Sequence, residues 1–518
     1  MKKLNKLVLA SLAVALFSCN NDFENPVEDF QVSSGEADFT RYVALGNSLT
    51  SGYTDNALFK SGQENSYPNI LAGLMKAAGG GEFKTPWMQD NIGGFTNLPG
   101  FGGKLQLQIV NGALTPVAMQ GETALDNISA GGPYQNMGVP GAKSYHLVAS
   151  GYGNAAGLAA GLANPYFVRF ASSPTTSVVA DAVAQNPTFF SLWIGNNDVL
   201  GYAVSGGVGV DQTGNVDPTT YGSNDISDVN VVKGAINGAL QALTANGAKG
   251  VIANIPSVTS VPYFTTVPYA PLSPANASFG PMIPELNATY AGLNQVFDAL
   301  GVPERKITFS TTAASPVVIK DKDLPNLQAQ ITAALTPVVG AAQATLFGMT
   351  YGQARQATAK DLLVLPSSNY IGTVDMERVQ ALMQMGLPQE QAGKLSVAGV
   401  SYPLEDKWVL TQAETAKAEA AVSKYNAAIF ELARAYNLAI VDTYNEMNKL
   451  SSQSGIRYYG NTYTTTFVSG GAFSLDGIHL TGTGYALVAN MFVDAINSKY
   501  GSTLRKVFPG YYPGVTIP

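Results

Sequence analysis

The sequence predicts a parallel α/β fold, and two observations carry that reading. From Phe39 onward, short apolar runs alternate with amphipathic stretches, and each run stops at glycine, proline or aspartate. Hydrophobic residues make up 46% of the 518 and charged residues only 13%, so the chain can fill a large core, and a wholly disordered chain is excluded. The strand candidates are TRYVALG, TFFSLWIG, KGVIANIP and NLAIVDTY. Each is an unbroken apolar run followed by turn residues, the pattern of a strand buried on both faces. Between them, VVKGAINGALQALTANG and ETAKAEAAVSKYNAAIFELARAYN carry apolar residues at helical spacing.

Two stretches fall outside a minimal alternation. Residues 201–228, rich in Gly, Asp, Asn and Thr, read as a surface loop. Asp211, Asn215 and Asp217 in that loop are calcium-ligand types, but their spacing fails the EF-hand loop, and turn chemistry accounts for the composition. Residues 302–412 read as a mostly helical insertion, through LPNLQAQITAALTPVVGAAQATLFG and MERVQALMQMG. The core domain is then split into 39–301 and 413–518.

Charge and sulfur narrow the function. Twenty-nine Lys plus Arg against 36 Asp plus Glu give a net charge of -7, with no basic stretch after the N-terminus to neutralise a run of phosphates, so nucleic acid is not an expected partner. The single cysteine, Cys19, excludes an intramolecular disulfide, a thiolate zinc cluster and an iron–sulfur centre. It closes the opening segment: MKKLNK, then the apolar run LVLASLAVALF, then SCNND. That run is too short to span a bilayer, which takes about 20 residues. It resembles a bacterial lipoprotein signal, with residues 1–18 as signal peptide and Cys19 as the lipidated residue. Residues 19–38, polar and acidic, read as a flexible tether. No later run of 18 apolar residues exists, so the expectation is an envelope protein anchored by lipid. Asn20 is not the aspartate associated with inner-membrane retention, which points to the outer membrane.

Histidine begins the chemical argument, because it is the commonest general base at neutral pH and the chain has two, His146 and His479. His479 lies in SLDGIHLTGTGYALVANMFVDAI, three residues after Asp476 and just before an amphipathic helix. An aspartate at that offset can orient an imidazole and stabilise its protonated form. His146, in GAKSYHLVASG, has no acidic neighbour and reads as structural. Ser48, in YVALGNSLTSGY, follows a strand and a glycine where a helix should begin, a place for a nucleophile or for an ordinary helix cap. Donors for an oxyanion are offered by Asn197 in GNND and by glycine N–H groups at Gly138 and Gly141 in QNMGVPGAKS.

Four segments in order, GNSLTSG, NMGVPG, GNND and DGIH, resemble the sequence blocks of the SGNH hydrolases, also called GDSL esterases and lipases. The resemblance spans residues 41–490 and is sparse between 200 and 430. It implies a three-layer α/β/α sandwich with a parallel sheet of about five strands, of the flavodoxin-like kind. It also implies a Ser48–His479–Asp476 triad, an oxyanion hole from the N–H groups of Ser48 and Gly141 with the Asn197 amide, and no metal or organic cofactor. Asn47 stands where the family's aspartate usually sits. That aspartate is not the triad acid, so the change bears on turn geometry.

For substrate, the expectation is an esterase or lipase acting on acyl lipids or other hydrophobic esters. Leu335, Val338, Leu346, Phe347 and Met349 would form a lid or acyl pocket, or else the insertion's own core. Two alternatives stand beside it: a carbohydrate O-acetylesterase, and a noncatalytic surface lipoprotein that binds a ligand.

Overall fold

The computed structural model describes residues 31–110 and 112–517. The signal segment 1–18, Cys19 and the first part of the tether lie outside the described residues. The central sheet has five strands, β1 (Tyr42–Gly46), β2 (Asn136–Gly138), β3 (Phe189–Trp193), β4 (Lys249–Ala253) and β5 (Ala439–Val441). Their order is β5-β4-β3-β1-β2, and every neighbouring pair is parallel. All residues of β1 and β3 are buried, so both sheet faces are covered. Four strands coincide with the apolar runs of the sequence. The fifth, β2, lies in QNMGVPGAKS and was not among the strand candidates.

The helices used below are α1 (Ser48–Ser51), α2 (Tyr67–Lys76), α3 (Asn197–Val204), α4 (Val229–Thr244), α5 (Ile283–Ala299), α6 (Gln328–Val339), α7 (Ala341–Tyr351), α8 (Met376–Gln384), α9 (Gln412–Ala435), α10 (Thr443–Leu450) and α11 (Gly482–Tyr500). Helix α2 packs on α11, where the Tyr67 and Phe492 rings stack with centroids 4.6 Å apart. Helix α4 packs on α9. The start of α9 is held by a reciprocal cap: the Thr411 N–H donates to Glu414 Oε2 at 2.8 Å, and the Glu414 N–H to Thr411 Oγ1 at 3.4 Å.

Two boundaries differ from those the sequence suggested. The last part of the expected tether is docked, not loose: the Ser33 N–H donates to Thr503 Oγ1 at 2.8 Å, and the Glu36 N–H to the Tyr500 carbonyl at 2.8 Å. Ala37 is buried in the main core, and this small apolar anchor is what a composition argument overlooks. Second, a separate hydrophobic core draws on residues 267–409, not 302–412, because α5 directs Ile283, Tyr290 and Phe297 into it. The second unit also includes short strands. It contains two small antiparallel pairs, Val318–Lys320 with Ala354–Gln356 and Leu362–Leu363 with Val409–Leu410, beside α5 to α8.

Of the expected loop 201–228, residues 201–204 complete helix α3, and several polar groups in the rest are paired within the segment. The Thr213 N–H donates to Asp211 Oδ1 at 3.0 Å, the Asp217 N–H to Asn215 Oδ1 at 3.1 Å, and the Thr219 N–H to Asp217 Oδ1 at 3.1 Å. These are side-chain-capped turns, the chemistry that Asp and Asn bring to loops.

Candidate active site

Strand order reverses between β1 and β3: from β1 the chain passes to β2 on one side, then to β3 on the other. In open parallel sheets the carboxyl ends of strands at such a reversal leave a crevice. Ser48 follows the end of β1, and Asn197 follows the end of β3.

The turn after β1 shows why asparagine suits position 47. Asn47 caps α1, its Oδ1 accepting the Leu49 N–H at 3.0 Å, while its Nδ2 donates to Asn196 Oδ1 at 3.4 Å. An aspartate would keep the first bond and lose the second. With Asn47 as the cap, Ser48 is the first helical residue and its hydroxyl is spared from capping. Ser48 Oγ instead lies 2.9 Å from His479 Nε2.

His479 Nδ1 lies 2.9 Å from Asp476 Oδ2. Asp476 Oδ1 accepts the N–H groups of Ile478 and His479, each at 2.8 Å, and the Ser474 hydroxyl at 3.1 Å. Asp476 Oδ2 also accepts the Asn56 N–H at 2.8 Å. Burial alone would raise this carboxyl, but the facing imidazole and the converging N–H donors hold it well below the usual carboxylate range. It is therefore ionised at neutral pH, as the partner of an imidazole that takes up a proton must be. The Tyr53 ring leans on His479 with centroids 4.6 Å apart, adding a wall to the imidazole.

A second carboxyl stands beside this acid. The Asp55 N–H donates to Ser474 Oγ at 3.0 Å, and Asp55 Oδ1 accepts the Leu475 N–H at 3.0 Å. Burial pushes Asp55 up to about 6, against the pull of the Leu475 N–H and with a further push from Asp476.

The expected oxyanion donors are held by their own network. Asn197 Nδ2 donates to the Ala142 carbonyl at 2.9 Å, tying the amide to the loop that carries Gly141. Gly141 has φ +80°, a left-handed conformation that side chains resist. Gly138 instead presses on α1: a Cβ there would lie 2.3 Å from the Ser51 nitrogen. Asp198 clamps the same loop, accepting the Ser144 N–H at 2.8 Å and the Ser144 hydroxyl at 2.9 Å. Burial raises the Asp198 carboxyl, with the Ser144 bonds opposing it. Asp198 is the last residue of GNND, and its place in the first turn of a helix is the sequence signal for it. Asn56, Ser474 and Tyr53 were missed, and no local pattern marks them.

His146 is structural, as expected. Its Nδ1 accepts the Lys143 N–H at 3.0 Å, its ring stacks on Tyr152 with centroids 4.5 Å apart, and burial, with Lys143 nearby, lowers it to about 4.

Two cavities meet at Ile478. A pocket of about 100 Å³ is lined by Ser48, Asn197 and His479 together with apolar side chains; Gly141 does not line it. A cleft of about 1270 Å³ lies on the other side, lined by Asn56 and Asp476 and by residues of the second unit such as Leu272 and Val400. The residues expected to form either a lid or acyl pocket or the insertion's own core line neither cavity. Leu335 and Phe347 are in the second core, Leu346 is in a small satellite core, and Val338 and Met349 are exposed. Residues 263–282 and 365–400 contribute the cleft wall instead. Among the described residues no group of three or more His, Cys, Asp or Glu is arranged to hold a metal ion.

A hydroxyl bonded to an imidazole that is oriented by an ionised carboxylate can act as a nucleophile, because the imidazole can accept the hydroxyl proton as the oxygen attacks. Comparison with known proteins returned no match to any family model, curated protein or solved structure.

Proposed function

We propose that the chain is a serine esterase of the SGNH type that hydrolyses carboxylic esters with an apolar acyl group. The observation that carries this reading is the unbroken relay Ser48 Oγ, His479 Nε2, His479 Nδ1, Asp476 Oδ2, with both links at 2.9 Å across 431 residues of sequence. Ser48 Oγ attacks the ester carbonyl as His479 Nε2 takes its proton. The same nitrogen returns that proton to the departing alkoxide, leaving an acyl group on Ser48. Water, deprotonated by His479, then attacks the acyl carbonyl, and the carboxylic acid leaves as Ser48 regains a proton from His479, the acid then ionising in solvent. The first-turn N–H of Ser48, the Gly141 N–H and the Asn197 amide serve as oxyanion donors in this scheme.

In this reading the sheet and its helices form an α/β/α sandwich, and residues 267–409 are an insertion between β4 and β5. A lipid anchor on Cys19, with an address in the cell envelope, belongs to the same proposal. The apolar pocket at Ser48 favours catalysis over ligand binding alone, because it opens onto the nucleophile and the base together. The test is labelling of the purified protein by a fluorophosphonate, with mass spectrometry of the modified peptide. Modification of Ser48, absent in Ser48→Ala, supports the proposal. A protein left unlabelled and inactive on a panel of esters refutes it and favours the binding lipoprotein.

A further inference from the structure

The two cavities differ in size by more than tenfold, and the smaller one is the one that touches the nucleophile. Its walls beyond Ser48 and His479 come from the carboxyl ends of β3, β4 and β5 and from the helices that follow. Leu200 of α3, Val261, Met447 and Leu450 of α10, and Phe473 and Met491 close it with apolar surface. Four of these, Val261, Met447, Leu450 and Phe473, are buried, with Met447 and Leu450 at 6% exposure, and Met491 is half-buried, so most of the wall is packed core. Leu200 is half-buried at the wall.

Resting on the esterase reading above, we propose that this pocket is the acyl site and that it restricts the enzyme to short acyl groups. An apolar cavity of about 150 Å³ accommodates benzene, so a pocket of about 100 Å³ accommodates roughly four carbons. The acyl groups that fit are acetyl to about pentanoyl. A longer chain finds no further room between these side chains, since Met447 and Leu450 are held by the main core, and its extra carbons run out through the pocket mouth without apolar cover. The restriction applies to one side of the scissile bond. The leaving alcohol departs toward the cleft past Ile478, whose volume of about 1270 Å³ sets no comparable limit. The substrate class is therefore a short-chain ester of an alcohol whose size is not restricted.

The experiment is a kcat/KM series on p-nitrophenyl esters from acetate to dodecanoate, run on the full chain beside the fluorophosphonate labelling. The expected maximum falls at five acyl carbons or fewer, with octanoate at least about tenfold lower, the discrimination expected when a packed apolar pocket rejects added methylenes. Met447→Ala, which lengthens the pocket, should raise the octanoate-to-butyrate ratio at least about tenfold. Leu200→Phe fills the pocket from its half-buried wall and should lower the butyrate-to-acetate ratio by about tenfold, and it keeps the test decisive if the core variant fails to fold. The butyrate ester of the bulkier 4-methylumbelliferone should be cleaved as well as the p-nitrophenyl ester. A wild-type maximum at octanoate or beyond, or unchanged ratios in Leu200→Phe, overturns the pocket assignment while Ser48 labelling still stands. Absence of both turnover and labelling overturns the esterase reading, and the acyl site with it.

Discussion

Replacing Asp476 by asparagine should nearly abolish turnover while leaving the fold in place, and the reason lies in how its two oxygens are used. Oδ1 accepts two backbone N–H groups and the Ser474 hydroxyl. An amide must therefore keep its oxygen there, and its NH2 then occupies the Oδ2 position. That position now accepts from His479 Nδ1 and the Asn56 N–H. An NH2 facing Nδ1 forces the imidazole into the tautomer with hydrogen on Nε2, which cannot accept the Ser48 proton. The same substitution in a serine-protease triad lowers kcat by about 10⁴, or about 5 kcal/mol of transition-state stabilisation, and we expect a similar loss here. The assay is kcat/KM on p-nitrophenyl butyrate at neutral pH, paired with thermal unfolding to confirm a folded variant. A folded Asp476→Asn protein within tenfold of wild type would refute the tautomer argument and the role of Asp476 with it.

Asn197→Ala should lower kcat by about a hundredfold or more, as for a lost oxyanion donor, measured by steady-state kinetics on the same ester. Asp55 should make the protein less stable as pH rises. Its folded pKa, about 6, exceeds the ordinary 3.8, so its favourable contribution is complete below 3.8 and is lost as pH rises through 6. Asp55→Asn keeps an oxygen for the Leu475 N–H, so it should stabilise the fold by at most about 3 kcal/mol at pH 8 and hardly at all at pH 4, read by denaturant unfolding at the two pH values. Gly138→Ala and Gly141→Ala should separate in a thermal unfolding comparison. The first forces backbone at Ser51 to move and should lower Tm and activity together, whereas the second meets only Asn164 Nδ2 at 3.9 Å, an ordinary contact, and costs about 1–2 kcal/mol of backbone strain.

Much of this architecture was legible because a strand buried on both faces must be an apolar run. YVALG, FFSLW and KGVIA satisfy that rule, and they are β1, β3 and β4. β2 does not, since Asn136, Met137 and Gly138 form no apolar run, and the segment is a strand because the edge of β1 offers partners at Ala44, Leu45 and Gly46. Pairing of this kind depends on distant backbone, which local composition cannot report. Helix α5 was assigned to the wrong unit for a related reason: an amphipathic stripe announces that a core exists, not which one. At the site, Ser48, His479 and Asp476 were recognisable from short segments, and the two 2.9 Å links bring them together. The groups that steady them, Asn56 on Asp476 and Tyr53 on His479, reach across more than 400 residues and carry no mark in their own neighbourhood.

The docking of residues 33–37 gives the molecule a direction. These residues meet Tyr500 and Thr503, and the Glu36 carboxylate meets Lys249, which opens β4. All of this happens at the base of a sheet whose strands run parallel toward the crevice. Whatever tugs on the chain ahead of residue 31 pulls on the pole remote from Ser48. A protein held by that end would carry the Ser48 crevice at the far pole, turned away from its point of attachment.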